Sequence, residues 1–115
     1  IAAGATYVAR GTAFHARLLT DLIVKGIESK GFSVIDAITQ CPISFGRRNK
    51  MGSAADMLAW QKDHAVMAQA VAKMNPADLK DKFVIGELYR TTAPEYTAEY
   101  AKLIARVEKK GGREN

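Results

Sequence analysis

The residue of this 115-residue chain best placed for chemistry is its single cysteine, Cys41. It follows the β-prone run 32–38 through Thr39 and Gln40, and Pro42 comes next. That order puts a thiol just past the carboxyl end of a predicted buried parallel strand, where open α/β sheets gather their ligands. Two readings stay open on the residues alone. A thiol there can pack as a small hydrophobe, or it can be one ligand of a metal group completed by donors from elsewhere. A lone cysteine holds no iron–sulfur cluster by itself, since a [4Fe–4S] cluster normally takes four thiolates. It also excludes an internal disulfide framework and zinc sites built on CxxC pairs, which favours a reducing, cytoplasmic setting.

Other chemistry-bearing residues have plain structural explanations. Asp36 lies inside a predicted strand. His15 and His64 each stand alone on a predicted helix, where histidines are mostly solvated or hydrogen-bonded in place. Trp60 serves as an apolar anchor, and Tyr96 and Tyr100 are an i, i+4 packing pair. The chain carries no Gly-rich phosphate motif, no HExxH, no GxSxG and no paired-carboxylate motif. No catalytic residue is therefore assigned within it.

The formal charge is +5. Arg47, Arg48 and Lys50 contribute +3 and residues 102–115 a further +3, leaving −1 for everything else. Neither patch contains an aromatic residue, which argues against a nucleic-acid face of basic and stacking side chains. The hydrophobic fraction of 48% and charged fraction of 25% suit a folded domain. No apolar run approaches the ~18 residues of a membrane span. The chain opens at Ile1 without methionine and without signal-peptide architecture. It is expected to be a piece of a longer protein.

The elements that must position Cys41 follow from periodicity. Residues 5–9 form a short strand. Thr12 is placed to cap a helix of about 20 residues whose stripe is Phe14, Leu18, Leu19, Leu22, Ile23 and Ile27, closed by Gly31. The second strand runs over 32–38. Strand, helix and strand make a βαβ unit with parallel strands. Residues 43–52 are aperiodic and expected as a loop. A second helix spans about 53–74, with Ser53 and Asp56 as a capping-box pair. Asn75 and Pro76 start a short helix. Residues 83–85 make a short extended segment closed by Gly86. Pro94 opens a last helix with Tyr96, Tyr100, Leu103, Ile104 and Val107 on its apolar side, ended by Gly111 and Gly112. The expected class is α/β: residues 1–50 as the βαβ part with the cysteine loop, and 51–115 as a mainly helical extension.

Three segments carry a resemblance: 3–11 (AGATYVARG), 31–36 (GFSVID) and 40–49 (QCPISFGRRN). With 82–88 (KFVIGEL) and 94–96 (PEY), they resemble the carboxyl-terminal part of the β subunit of the 2-oxoacid:ferredoxin oxidoreductases, most closely the 2-oxoglutarate type. The likeness covers nearly the whole chain, and the order and spacing of its short motifs are specific. Ile43 departs from the threonine more usual after the Cys-Pro pair. The resemblance implies the carboxyl-terminal part of a thiamine diphosphate-binding, doubly wound domain. It implies thiamine diphosphate with Mg²⁺, held through a GDG-type motif upstream of Ile1, and a [4Fe–4S] cluster whose last ligand is Cys41. It further implies an α subunit, ferredoxin, a 2-oxoacid and coenzyme A as partners, with no nucleic acid and no membrane. Arg47 and Arg48 then stand close to the cluster, suited to favouring its reduced form or to binding an acidic ferredoxin, with a plain solvated basic loop as the equal alternative. None of the cofactors is complete within the chain, so alone it should be inactive. The competing expectations are a non-catalytic α/β interaction module and a basic nucleic-acid-binding domain.

Overall fold

The computed structural model describes residues 1–111. The helix stop expected at Gly112 and the frayed end after it lie outside the described residues. Strand β1 (Tyr7–Thr12), helix α1 (Ala16–Glu28) and strand β2 (Ser33–Ile38) form the expected βαβ unit. The two strands pair in parallel from Tyr7 with Ser33 to Thr12 with Ile38. Helix α1 lies on them, and Tyr7, Ala9 and Leu22 make a fully enclosed core, with Leu18 and Ile35 packed against it.

Helix α1 has 13 residues, shorter than expected at both ends. Thr12 belongs to β1, where it is completely buried. Its hydroxyl accepts the His15 N–H at 3.2 Å, so it caps the turn into the helix, not the helix itself. At the other end the chain turns extended at Ser29, whose hydroxyl donates to the Lys25 carbonyl. Gly31 lies beyond the helix end at φ +104°, folded around Thr6. The Thr6 hydroxyl reaches the carbonyls of Lys30 and Phe32. Strand β2 is an edge strand with alternate residues exposed, not a strand covered on both faces.

The second half departs further from expectation. Residues 42–46 are not a loop but a π-helical turn, Pro42–Gly46. Helix α2 (Ala54–His64) starts with the Ser53–Asp56 capping box, both reciprocal bonds being made. It stops ten residues early. Residues Ala65–Met67 form strand β3, followed by the short helix α3 (Ala68–Val71). β3 pairs in parallel with Phe83 to Ile85, and that ladder outweighs the helical propensity of the alanines around it. Pro76–Leu79 is a 3₁₀ turn with Pro76 in its first turn.

Strand β4 (Phe83–Arg90) does not end at Gly86; it continues and pairs antiparallel with β1, with an irregularity between Val8 and Ala9. The sheet order is β2-β1-β4-β3, two of its three pairings parallel. The extension thus holds two strands as well as helices. Helix α4 (Tyr96–Gly111) begins two residues after Pro94. Two N–H groups of its first turn, on Thr97 and Ala98, donate to the Glu95 carboxylate. Its stripe of Tyr96, Tyr100, Leu103, Ile104 and Val107 is exposed, and the radius of gyration is 21.0 Å. A compact domain of this length has a radius near ~13 Å, so α4 projects as an arm.

Candidate functional site

β2 delivers the chain through Thr39 and Gln40 to Cys41, which is exposed at the carboxyl end of the two parallel strands. Pro42 starts the π-helical turn, having no N–H to leave unsatisfied. The Gly46 N–H donates to the Cys41 carbonyl at 2.9 Å and closes it. The first turn of a helix leaves its N–H groups without intrahelical acceptors. Here those of Phe45, Ser44 and Ile43 stand around the thiol, in that order of effect, and hold its pKa below the ordinary value against a smaller opposing desolvation. More of the thiol is therefore thiolate at neutral pH, the form that binds metal or acts as a nucleophile.

Helix α2 closes the other side. Met57, 4% exposed, packs on the turn so tightly that a side-chain carbon at Gly46 would lie 2.6 Å from its sulfur. Between β2, the turn and α2 lies a cavity of about 370 Å³. Cys41 lines it with Ile38, Phe45, Met51, Trp60 and Gln61. The walls are chiefly apolar. Gln61 has its side-chain oxygen tied to the Phe14 N–H at 3.0 Å.

Arg47 and Arg48 follow the turn directly and are exposed; among the described residues neither makes an ion pair. They stand six and seven residues after Cys41, across the π-helical turn. The two histidines do not line this cavity, and each is held by a local partner. His15 Nδ1 meets the Thr12 hydroxyl at 2.8 Å. His64 Nδ1 donates to the Trp60 carbonyl at 2.8 Å and its ring stacks on the indole. Trp60 stacks on Phe83 too, which anchors α2 to β4. Asp36 is bound to Arg10. Gln61, Met51 and Met57 were not legible as site residues. Their nearness to Cys41 depends on the seating of α2 over the turn, which no sequence periodicity encodes.

No three His, Cys, Asp or Glu side chains come together as a metal site among the described residues. What is present suits one corner of an iron–sulfur cluster: a soft donor, accessible, surrounded by N–H groups and backed by apolar walls. No helix of the described residues is long and apolar enough to cross a membrane.

No protein-family model matches the chain. It is 39% identical over 112 residues to 2-oxoglutarate synthase subunit KorB of Methanothermobacter thermautotrophicus, covering 97% of this chain and 38% of that protein. It is 40% identical over 108 residues to 2-oxoglutarate synthase subunit KorB of Methanocaldococcus jannaschii, covering 94% and 40%. In three dimensions it is similar to a 2-oxoglutarate:ferredoxin oxidoreductase from Magnetococcus marinus, solved with 2-oxoglutarate, coenzyme A and succinyl-CoA bound. There the TM-score is 0.66 at 25% identity, over 91% of this chain and 36% of the other. The chain spans about two fifths of the length of the curated relatives it matches. The resemblance carried by the short motifs therefore holds along almost the whole chain: over that span it is similar to part of these KorB subunits.

Proposed function

We propose that this chain is the carboxyl-terminal part of the β subunit of a 2-oxoacid:ferredoxin oxidoreductase, acting on 2-oxoglutarate, with Cys41 as one thiolate of a [4Fe–4S] cluster. The observation that carries it is the 39% identity to a 2-oxoglutarate synthase subunit over 97% of the chain. In the whole complex a 2-oxoacid and coenzyme A give the acyl-CoA and carbon dioxide, and two electrons pass singly to ferredoxin. Thiamine diphosphate with Mg²⁺ supplies the decarboxylating chemistry from residues outside this chain, and the cluster supplies one-electron transfer. The remaining thiolates come from outside as well, since the chain has one cysteine.

Within the chain, residues 1–50 form the βαβ part that holds Cys41 rigidly, and 51–115 the extension whose helix α2 walls its cavity. Arg47 and Arg48 face solvent beside the cysteine, where their charge favours a reduced cluster or an acidic ferredoxin. The uncovered stripe of α4 suits a docking surface for the α subunit. The complex is assigned to the cytoplasm, where a free thiol stays reduced.

The test is Cys41→Ser in the full-length subunit with its partner. Serine offers a harder and, at neutral pH, scarcely ionised donor. The expected outcome is loss of the low-temperature EPR signal of the reduced cluster and of turnover with ferredoxin, with thiamine diphosphate still bound. A wild-type signal with wild-type turnover would return Cys41 to a packing role.

A further inference from the structure

Gln61 is a polar side chain only 2% exposed, and its amide is held in one orientation. The Phe14 N–H donates to it at 3.0 Å, and an N–H can be received only by the carbonyl oxygen, so Oε1 is spent on Phe14. The opposite end, Nε2 with its two hydrogens, meets no acceptor among the described hydrogen bonds. It is not sealed in either: the fully enclosed unpartnered side-chain atom of the described residues is the Tyr7 hydroxyl oxygen. Gln61 also lines the cavity of about 370 Å³ that Cys41 opens on, among Ile38, Phe45, Met57 and Trp60. A group that fills the cavity and shuts out solvent must accept from that end or leave it unsatisfied at a cost.

We propose that Gln61 presents its Nε2 hydrogens to the sulfur of the group held at Cys41 and thereby raises that group's reduction potential. This rests on the reading of Cys41 as a cluster ligand. Reduction adds one electron and breaks no bond, so the negative charge on the sulfurs grows. An N–H donated to them would be more stabilising after the electron arrives than before. The low-dielectric walls strengthen the effect, and the Phe14 bond keeps the amide from turning its oxygen toward the sulfur.

The experiment uses the full-length subunit with its partner, loaded with iron and sulfide, and follows a potentiometric titration by low-temperature EPR. Gln61→Glu keeps an acceptor for Phe14 but replaces the donor by an oxygen. Gln61→Leu removes both. Each is expected to retain iron while lowering the ratio of reduced to oxidised protein at a fixed solution potential by about threefold or more, a tenfold change being about 59 mV for one electron. Wild-type protein labelled with ¹⁵N at the glutamine side-chain amide should show a weak nitrogen coupling to the reduced group in pulsed EPR. Loaded variants at the wild-type potential overturn the proposal, and so does an absent coupling, which needs no variant to fold. Cys41→Ser in the same preparation keeps the two ideas apart. A cluster retained there overturns the role of Cys41. A cluster lost there, with Gln61 variants at the wild-type potential, overturns only the role of Gln61.

Discussion

Arg10 and Asp36 are direct register partners on the parallel strands β1 and β2, and their side chains close an ion pair of 2.7 Å between Nε and Oδ2. Asp36 is thereby spoken for, a structural acid. Both side chains are partly exposed, 35% and 51%. Asp36→Asn in the full-length subunit should cost at most ~1 kcal/mol, with a difference that shrinks in high salt. Denaturant titrations at low and high ionic strength check it, and an unchanged iron content separates Asp36 from Cys41.

Tyr7 should tolerate loss of its hydroxyl. Its side chain is completely buried, the hydroxyl oxygen makes no hydrogen bond of ordinary geometry, and burial, then the Glu87 charge, raises its pKa against the opposing influence of nearby Arg90. Arg90 lies 5.0 Å over the ring, an attraction that needs only the aromatic face. Tyr7→Phe is expected to leave stability unchanged or raise it by up to ~1 kcal/mol, because an unsatisfied polar group disappears. A fall of more than ~1 kcal/mol in a urea melt would contradict this.

Gly31 should be intolerant of any side chain. Its φ is +104°, and a Cβ there would sit 2.6 Å from the Thr6 hydroxyl oxygen. Gly31→Ala should destabilise by about 1–3 kcal/mol from backbone strain alone. Thr6→Val keeps the shape and loses only the hydrogen bonds to Lys30 and Phe32, so it should cost less, about 1 kcal/mol. Equal melts for the two variants would show that the close approach is unimportant.

Glu95 makes the foot of α4 sensitive to acid. The Thr97 hydroxyl, the Thr97 and Ala98 N–H groups and the more distant Lys30 charge hold its pKa below the ordinary 4.5. A depressed carboxylate contributes in full above that ordinary value, and the contribution is lost as pH falls through the lowered one. The amides of Thr97 and Ala98 should therefore exchange faster with solvent as pH drops below about 4.5, after correction for intrinsic rates. In Glu95→Gln they should show no such transition. Hydrogen exchange read by NMR or mass spectrometry decides it.

The 115-residue chain by itself should associate. β2 leaves one edge unpaired, and Phe32, Val34, Ile27, Tyr96 and Val107 are exposed. Unpaired edges and uncovered apolar residues are templates for contact. Sedimentation should reveal concentration-dependent oligomers with broad melting. A monomer with one sharp, high-temperature transition would contradict it.

The βαβ unit and the position of Cys41 were legible because they rest on local signals: β-branched runs, an i, i+4 stripe and a Cys-Pro boundary. The Ser53–Asp56 cap was legible for the same reason. Strand β3 was not, because Ala65 to Met67 continue a helical composition and become a strand only against Phe83 to Ile85. The continuation of β4 past Gly86 likewise depends on β1, more than seventy residues earlier, as its partner. Cys41 could be named from its neighbours, whereas Gln61 gained its place only when α2 came to lie over the π-helical turn. The parallel pairing of β1 with β2 was readable, and the pairings that β4 makes with β1 and β3 were not.

Because β1 and β2 run in parallel, everything at their beginnings is far from everything at their ends. The foot of α4, with Pro94, Glu95 and Tyr96, stands by Gly4, Thr6 and Gly31 at the starting end. Cys41 emerges at the finishing end, about 20 Å away for six residues of strand. The arm and the thiol therefore do not compete for room. A body large enough to grip α4 along its whole length can stay in place while a second one comes and goes at the mouth beside Arg47 and Arg48. One end of the sheet is suited to holding permanently and the other to brief visits.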